Sequence, residues 1–131
     1  MQRIIKFRGL TANGDMVYGY LVPDLPDSTV YYKEYSQRIC WYEGQAHHNI
    51  PVKNGTVGEY TGLKDKNGVG IYEGDIVRVG GGDVTTCKWS VYQAGFNLIG
   101  LTTYAVGFTH YGENKQEVIG NIYENKELLD D

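Results

Sequence analysis

The sequence predicts a mainly β protein: a small barrel-like fold (SH3-like or an open barrel), with antiparallel sheets, long loops and little helix. Three observations carry this expectation. The chain of 131 residues holds 18 Gly and 12 Tyr but only 3 Phe, a composition suited to half-wet pleated surfaces broken by turns. Apolar residues alternate over short runs, and no helical period lasts beyond two turns. Asn-Gly pairs at Asn13-Gly14, Asn54-Gly55 and Asn67-Gly68 punctuate those runs.

The elements follow in order. "RIIKFRGL" and "MVYGYLV" read as strands joined by a tight turn at Asn13-Gly14, both of whose residues tolerate positive φ, giving a hairpin over 4–22. "PDLPDS" is a loop. "TVYYKEY" and "RICWYEG" read as two further strands, and "QAHHNIPVKNGT" as irregular. "TVGEYTGL" leads into "DKNG", a turn, then "VGIY", then the turn "EGD" and the strand "DIVRVG". "VTTCKWSVY" and "FNLIGL" form a second hairpin around "QAG"; "TTYAVGFTHYG" fits neither period. "QEVIGNIY" is a strand bent or bulged at Gly120, and "ENKELLDD" a helical turn. The whole is expected to be one domain, 1–131, with a core motif at 56–79 and a closing strand and turn at 116–129.

The net charge is −4, which argues mildly against a general nucleic-acid binder. Residues 1–66 carry 8 basic and 7 acidic groups, residues 67–131 carry 4 and 9. A basic face involving Arg3, Lys6, Arg8, Lys33 and Arg38 therefore remains open, against the plainer reading of a solvated surface. Cys40 and Cys87 are far apart and read as buried core thiols, not as a disulfide framework or a nucleophile. "MQRIIKFRG" lacks the apolar run of a signal peptide, and no stretch reaches the length of a membrane span, so a soluble cytosolic protein is expected.

The segment "TGLKDKNGVGIYEGDIVRV", 61–79, tests for chemistry. Gly68, Gly70 and Gly74 are spaced one residue too wide for the dinucleotide fingerprint, and no helix pattern follows. Glycine at successive turns is the better reading, and no cofactor is implied. His47 and His48 are adjacent and should point to opposite faces of a strand, so they read as polar loop residues and no metal is assigned. Glu73 and Asp75 flank Gly74, where Asp75 can accept backbone amides; as carboxylates they are the first place to look for an enzyme site, with the His47/His48 loop. Tyr31, Tyr32, Tyr35, Trp41 and Tyr42, with Lys33 and Arg38 nearby, are candidate partner contacts, although alternation lets only about half share a face.

"IIKFRGL", Met16 with "VYGYLV", "TVGEYTGLKDKNGVGIYEGDIVRV" and "EVIGNIYENKELL" together resemble the YopX family of phage and prophage proteins. The chain departs from that family's habits at Leu10 (commonly Trp), at Val69-Gly70 (commonly Lys-Glu) and at Lys126 (commonly Pro), and matches little over 27–50 and 92–115. The resemblance implies a mostly β domain with a barrel-like core, encoded by phages or prophages of Gram-positive bacteria, and no defined activity. In the shared blocks Gly62, Gly68, Gly74 and Gly120 would fix turns and bends. Asp65, Asn67 and Asp75 would form turns, and Ile71, Ile76, Val77, Ile119 and Ile122 would pack a core. Tyr72 and Asn121 complete this structural motif.

These readings converge on a non-enzymatic accessory protein in the cytoplasm of an infected or lysogenic bacterium. It would bind a host or phage macromolecule, protein before nucleic acid, through loops around 23–50 and 101–115. The alternatives are a nucleic-acid accessory factor and an enzyme centred on Glu73 and Asp75. Self-association through uncovered sheet edges is a further expectation.

Overall fold

One turn design recurs at three places. At Thr11–Asp15, Asp65–Val69 and Val79–Asp83 the first residue's N–H donates to the fifth residue's carbonyl, at 2.8–2.9 Å. Its carbonyl accepts from a glycine at the fourth position, at 2.9–3.0 Å. Those glycines, Gly14, Gly68 and Gly82, lie at φ +87°, +82° and +94°. This is the hairpin loop that needs a single left-handed residue, not the two that an Asn-Gly turn with positive φ at both centres would use; Asn13 is accordingly absent from the positive-φ residues.

The computed structural model describes residues 4–22, 33–80, 82–91, 94–100, 106–107 and 115–129. They form eleven strands and two short 3-10 turns, without an α-helix among them. The strands make two antiparallel sheets that do not close into a barrel, so the mainly β, antiparallel expectation with little helix holds. The chain divides into two compact units, Met1–Tyr60 and Thr61–Asp131.

In the first unit, β1 (Phe7–Leu10), β2 (Met16–Val22), β3 (Gln37–Glu43), β4 (Ala46–Val52) and the start of β5 (Gly58–Lys64) lie in the order β4-β3-β2-β1-β5. "AHHNIPV", expected to be irregular, is β4, because the two-residue turn Gly44–Gln45, with Gly44 at φ +60°, returns the chain directly along β3. "KEY" is a 3-10 turn, Lys33–Tyr35, in place of the expected end of a strand. Asn54 holds it: Oδ1 accepts from the Ser36 N–H and hydroxyl, both at 3.0 Å, and the Asn54 N–H donates to the Glu34 carbonyl. The end of β4 turns back onto β1, where the Lys53 N–H donates to the Leu10 carbonyl at 2.8 Å and Val52 packs on the backbone at Gly9.

In the second unit, β7 (Asp75–Arg78), β8 (Val84–Ser90), β9 (Gly95–Gly100), β10 (Val106–Gly107) and β11 (Glu117–Asn121) form the sheet β10-β9-β8-β7-β11. The short β6 (Gly70–Tyr72) lies beside the end of β5, where the Thr61 hydroxyl donates to the Ile71 carbonyl. Ile71, Val77, Val79, Cys87 and Leu98 are the buried core, with Phe96 and Val118 packed against it. The register between β11 and β7 shifts between Val118 and Gly120, the irregularity that Gly120 suggested. Ile119 and Ile122 are half-buried, whereas Ile76 is fully buried.

Asp65 ties this unit together. Its Oδ1 accepts the N–H groups of Asn67 and Val69 at 2.8 and 2.9 Å, and its Oδ2 accepts that of Val118, 53 residues away, at 2.9 Å. The Asp65→Ala variant leaves three partly buried donors without their acceptor and is expected to lose about 3 kcal/mol of stability, read as a lower urea midpoint.

Candidate functional site

The sequence "QRICWYE" of β3 must present its side chains to two opposite faces. Arg38, Cys40 and Tyr42 fall on one face; Gln37, Ile39, Trp41 and Glu43 fall on the other. Cross-strand register extends the first set to His47, Asn49 and Pro51 on β4 and to Tyr20 and Val22 on β2, and Tyr18 follows by alternation. Ile39 and Val52, on the second face, are fully buried. Tyr18, Tyr20 and Tyr42, on the first, are 43%, 65% and 68% exposed. The first is therefore the outer face of this sheet.

Gly19 makes that face. It is buried between the two exposed tyrosines, and a Cβ there would collide with the Cys40 carbonyl and lie 3.2 Å from the Cβ of Trp41. Backbone thus meets backbone where β2 passes β3, and Tyr18 and Tyr20 are left pointing outward on either side.

The outer face is built from aromatic rings and cations. The His47 ring stacks on Tyr42 with centroids 4.7 Å apart and planes at 28°. Lys6 Nζ lies 5.9 Å from the centroid of the Tyr18 ring, within reach of a cation–π attraction. Arg38 Nη1 donates to the Asn49 carbonyl at 3.5 Å, which leans the guanidinium across β4. On the opposite face Trp41 stacks on His48 at 4.8 Å and 13°. The indole donates to Glu43 Oε1 at 3.3 Å, and His48 Nε2 lies 3.9 Å from Glu43 Oε2.

Arg38 and Tyr42 therefore share a face, while Trp41 is on the other. Tyr35 is half-buried in the 3-10 turn. Tyr31 and Tyr32 lie outside the described residues. Tyr18, Tyr20 and His47 were not among the candidate contacts; the i, i+2 spacing of tyrosines around a glycine in "VYGYLV" was the signal for the first two. His47 and His48 stand on a strand and not in a loop, each stacked on an aromatic partner on its own face. Cys87 is buried as expected, whereas Cys40 is only half-buried on the outer face.

The motif residues occupy the second unit as a hydrogen-bonded frame. Gly62, Gly68 and Gly74 all lie at positive φ, between +82° and +93°. Asp75 is 1% exposed, and its Oδ2 accepts the Tyr72 N–H at 2.7 Å, the turn role read from its position. The Gly74 N–H donates to the Cys87 carbonyl, and its carbonyl accepts from the Ile122 N–H. The Tyr123 ring sits 3.1 Å from where a Cβ on Gly74 would stand. Asn121 Oδ1 accepts from the Tyr123 and Glu124 N–H groups at 3.0 and 2.9 Å. A side chain on Gly120 would press within 2.6 Å of Asn125 Oδ1. Among the described residues, no three His, Cys, Asp or Glu converge as a metal set, and no helix is long and apolar enough to cross a membrane.

An all-β chain of two open sheets, with one exposed aromatic face and a frame of turn residues, is the class that this geometry defines. The family model for YopX protein matches residues 6–130, and the chain belongs to the YopX family. Its structure is similar to the crystal structure of protein EF1440 from Enterococcus faecalis, with 24% sequence identity and a TM-score of 0.58, over 98% of this chain and 99% of that one. No curated protein matches the chain.

The face and the fold should separate on mutation. Replacing exposed Tyr20 and Tyr42 together by Ser is expected to cost less than about 1 kcal/mol, whereas Gly19→Ala should cost about 2 kcal/mol or more by forcing β2 from β3. Thermal unfolding of the two variants checks this.

Proposed function

We propose that this YopX-family protein is a non-enzymatic binding module that docks a protein partner on the outer face of β2–β3–β4. The observation that carries this reading is the row of exposed tyrosines, Tyr18, Tyr20 and Tyr42, on a hydrogen-bonded sheet. Rings with two rotatable angles lose little entropy on contact, and tyrosine is enriched where proteins meet. The sheet holds those rings in place before a partner arrives, which lowers the cost of ordering them. In the same reading the protein is encoded by a phage or prophage and works in the cytoplasm of the bacterial host as an accessory factor.

A nucleic-acid reading has one observation in its favour, the cation of Lys6 above the ring of Tyr18 on this same face. Stacked bases use such platforms, and their binding falls steeply with salt.

The test is affinity capture from host cells with the wild type, the Tyr20→Ser/Tyr42→Ser variant and a Val91→Ser control, each with and without nuclease. Val91 is 77% exposed and belongs to the second unit. A protein retained by the wild type and the control after nuclease, and lost with the tyrosine variant, is the expected result. Capture unchanged in the tyrosine variant overturns the reading. Capture lost with nuclease transfers the face to nucleic acid.

A further inference from the structure

We infer that the occupant of the outer face of β2–β3–β4 is an acidic segment of a protein, held by Lys6 and Arg38 on either side of Tyr20. This rests on the partner-binding reading above and adds the chemistry of the partner to it.

The observation is a segregation of charge. Although the chain carries −4 overall, register and alternation place Lys6, Arg8 and Arg38 on the outer face of β1–β4. Arg8 is buried, Lys6 is exposed and Arg38 is half-buried. Among the described residues of these strands, no Asp or Glu shares that face. Glu43 falls on the opposite face with Trp41 and His48, and Glu59 falls there too, opposite Phe7. Lys6 and Arg38 thus have no carboxylate among their same-face neighbours on the described strands, and these two cations offer their charge to something else.

Position defines the fit. Phe7 pairs with Gly19, so Lys6 stands level with Tyr20, which pairs with Cys40 on β3. Arg38 is two residues along β3 from Cys40. Two strand spacings, about 10 Å, separate the strands that carry the two cations. An extended segment laid across the strands meets Lys6, the Tyr20 ring and Arg38 in turn. A guanidinium pairs with a carboxylate through two parallel hydrogen bonds, and the wet tyrosine hydroxyls can donate to the same segment. Two full charges match a few carboxylates better than a phosphate backbone, whose binding draws on many more cations.

The probe is a fluorescein-labelled peptide of Glu-Gly-Leu repeats, with its Gln-Gly-Leu counterpart and a labelled oligothymidylate, titrated with the full chain by anisotropy. The Glu peptide is expected to bind about tenfold tighter than the Gln peptide. Arg38→Glu and Lys6→Glu should each remove most of that difference, and Arg38→Gln a smaller part, with circular dichroism and thermal unfolding unchanged. Equal binding of the two peptides, or none, overturns the inference; tighter binding of oligothymidylate, lost in Tyr20→Ser/Tyr42→Ser, overturns it in favour of nucleic acid. The cellular capture separates the two levels. If Tyr20→Ser/Tyr42→Ser loses the partner and Arg38→Glu keeps it, the face binds a protein but not by charge. If neither variant changes capture, the partner-binding reading itself fails.

Discussion

The pleat of β3 and β4 governs what this protein can present. Side chains alternate with a period of two, and cross-strand register copies each choice to the next strand. Burial of Ile39 and Val52 fixes one face as interior. Every other assignment follows without further freedom. Trp41, His48 and Glu43 go with Ile39; Arg38, Tyr42 and His47 go outward. A slip of one residue would bury Tyr42 and Arg38 and expose Ile39, so the hydrophobic demand of two aliphatic residues sets the surface chemistry of the whole hairpin. Gly19 lets β2 join this arrangement, because only a residue without a side chain allows the two backbones to meet there.

The second unit is specified by different means. Its frame depends on carboxylates and amides used as backbone acceptors. Asp65 joins a turn to a strand 53 residues away, and Asn121 closes the turn after β11. Asp75 caps its own turn from within the core. Each of these polar groups accepts backbone N–H groups that the chain geometry leaves over, which is why Asp65 and Asp75 can be buried at little cost. The glycine-rich segment that most resembles a ligand loop in the sequence is accordingly a device for turning the chain.

Much of this was legible in the residues. The hairpin at 4–22, the turns at Gly68 and Gly74, the bulge near Gly120 and the amide-accepting role of Asp75 all rest on local rules, and local rules are written in short stretches of sequence. The β4 strand was not legible, because "AHHNIP" mixes His, Asn and Pro and has no alternating pattern; its strand state comes from pairing with β3 across a two-residue turn. The loop at Asn13-Gly14 was misread as a symmetric turn with positive φ at both residues, since both loop types place glycine at positive φ and differ at Asn13. Of the aromatic candidates, Trp41 and Tyr42 fall on opposite faces of β3, as alternation requires. The exposed pair on β2 was overlooked because tyrosine in a strand is equally at home packed or wet, and the sequence alone does not say which side the core takes.

The separation between frame and face has a consequence for how function can be inferred. Of the three segments that carry the family resemblance, the N-terminal hairpin supplies Tyr18 and Tyr20 to the face, whereas 61–79 and 117–129 hold the glycines, carboxylates and core residues that determine the path of the second unit's chain. Substituting them changes stability before it changes recognition. The exposed outer residues of β2–β3–β4 are expected to contribute little to folding, so under the proposed role they can change with a partner without loss of the fold. Two chains that share the frame can therefore differ entirely in what they bind, and fold similarity at 24% identity carries no partner with it. On the proposed binding role, what such a chain recognises is read from the charge and ring pattern of its exposed face. Here that pattern is tyrosine flanked by Lys6 and Arg38 on a face from which carboxylates are absent among the described strand residues.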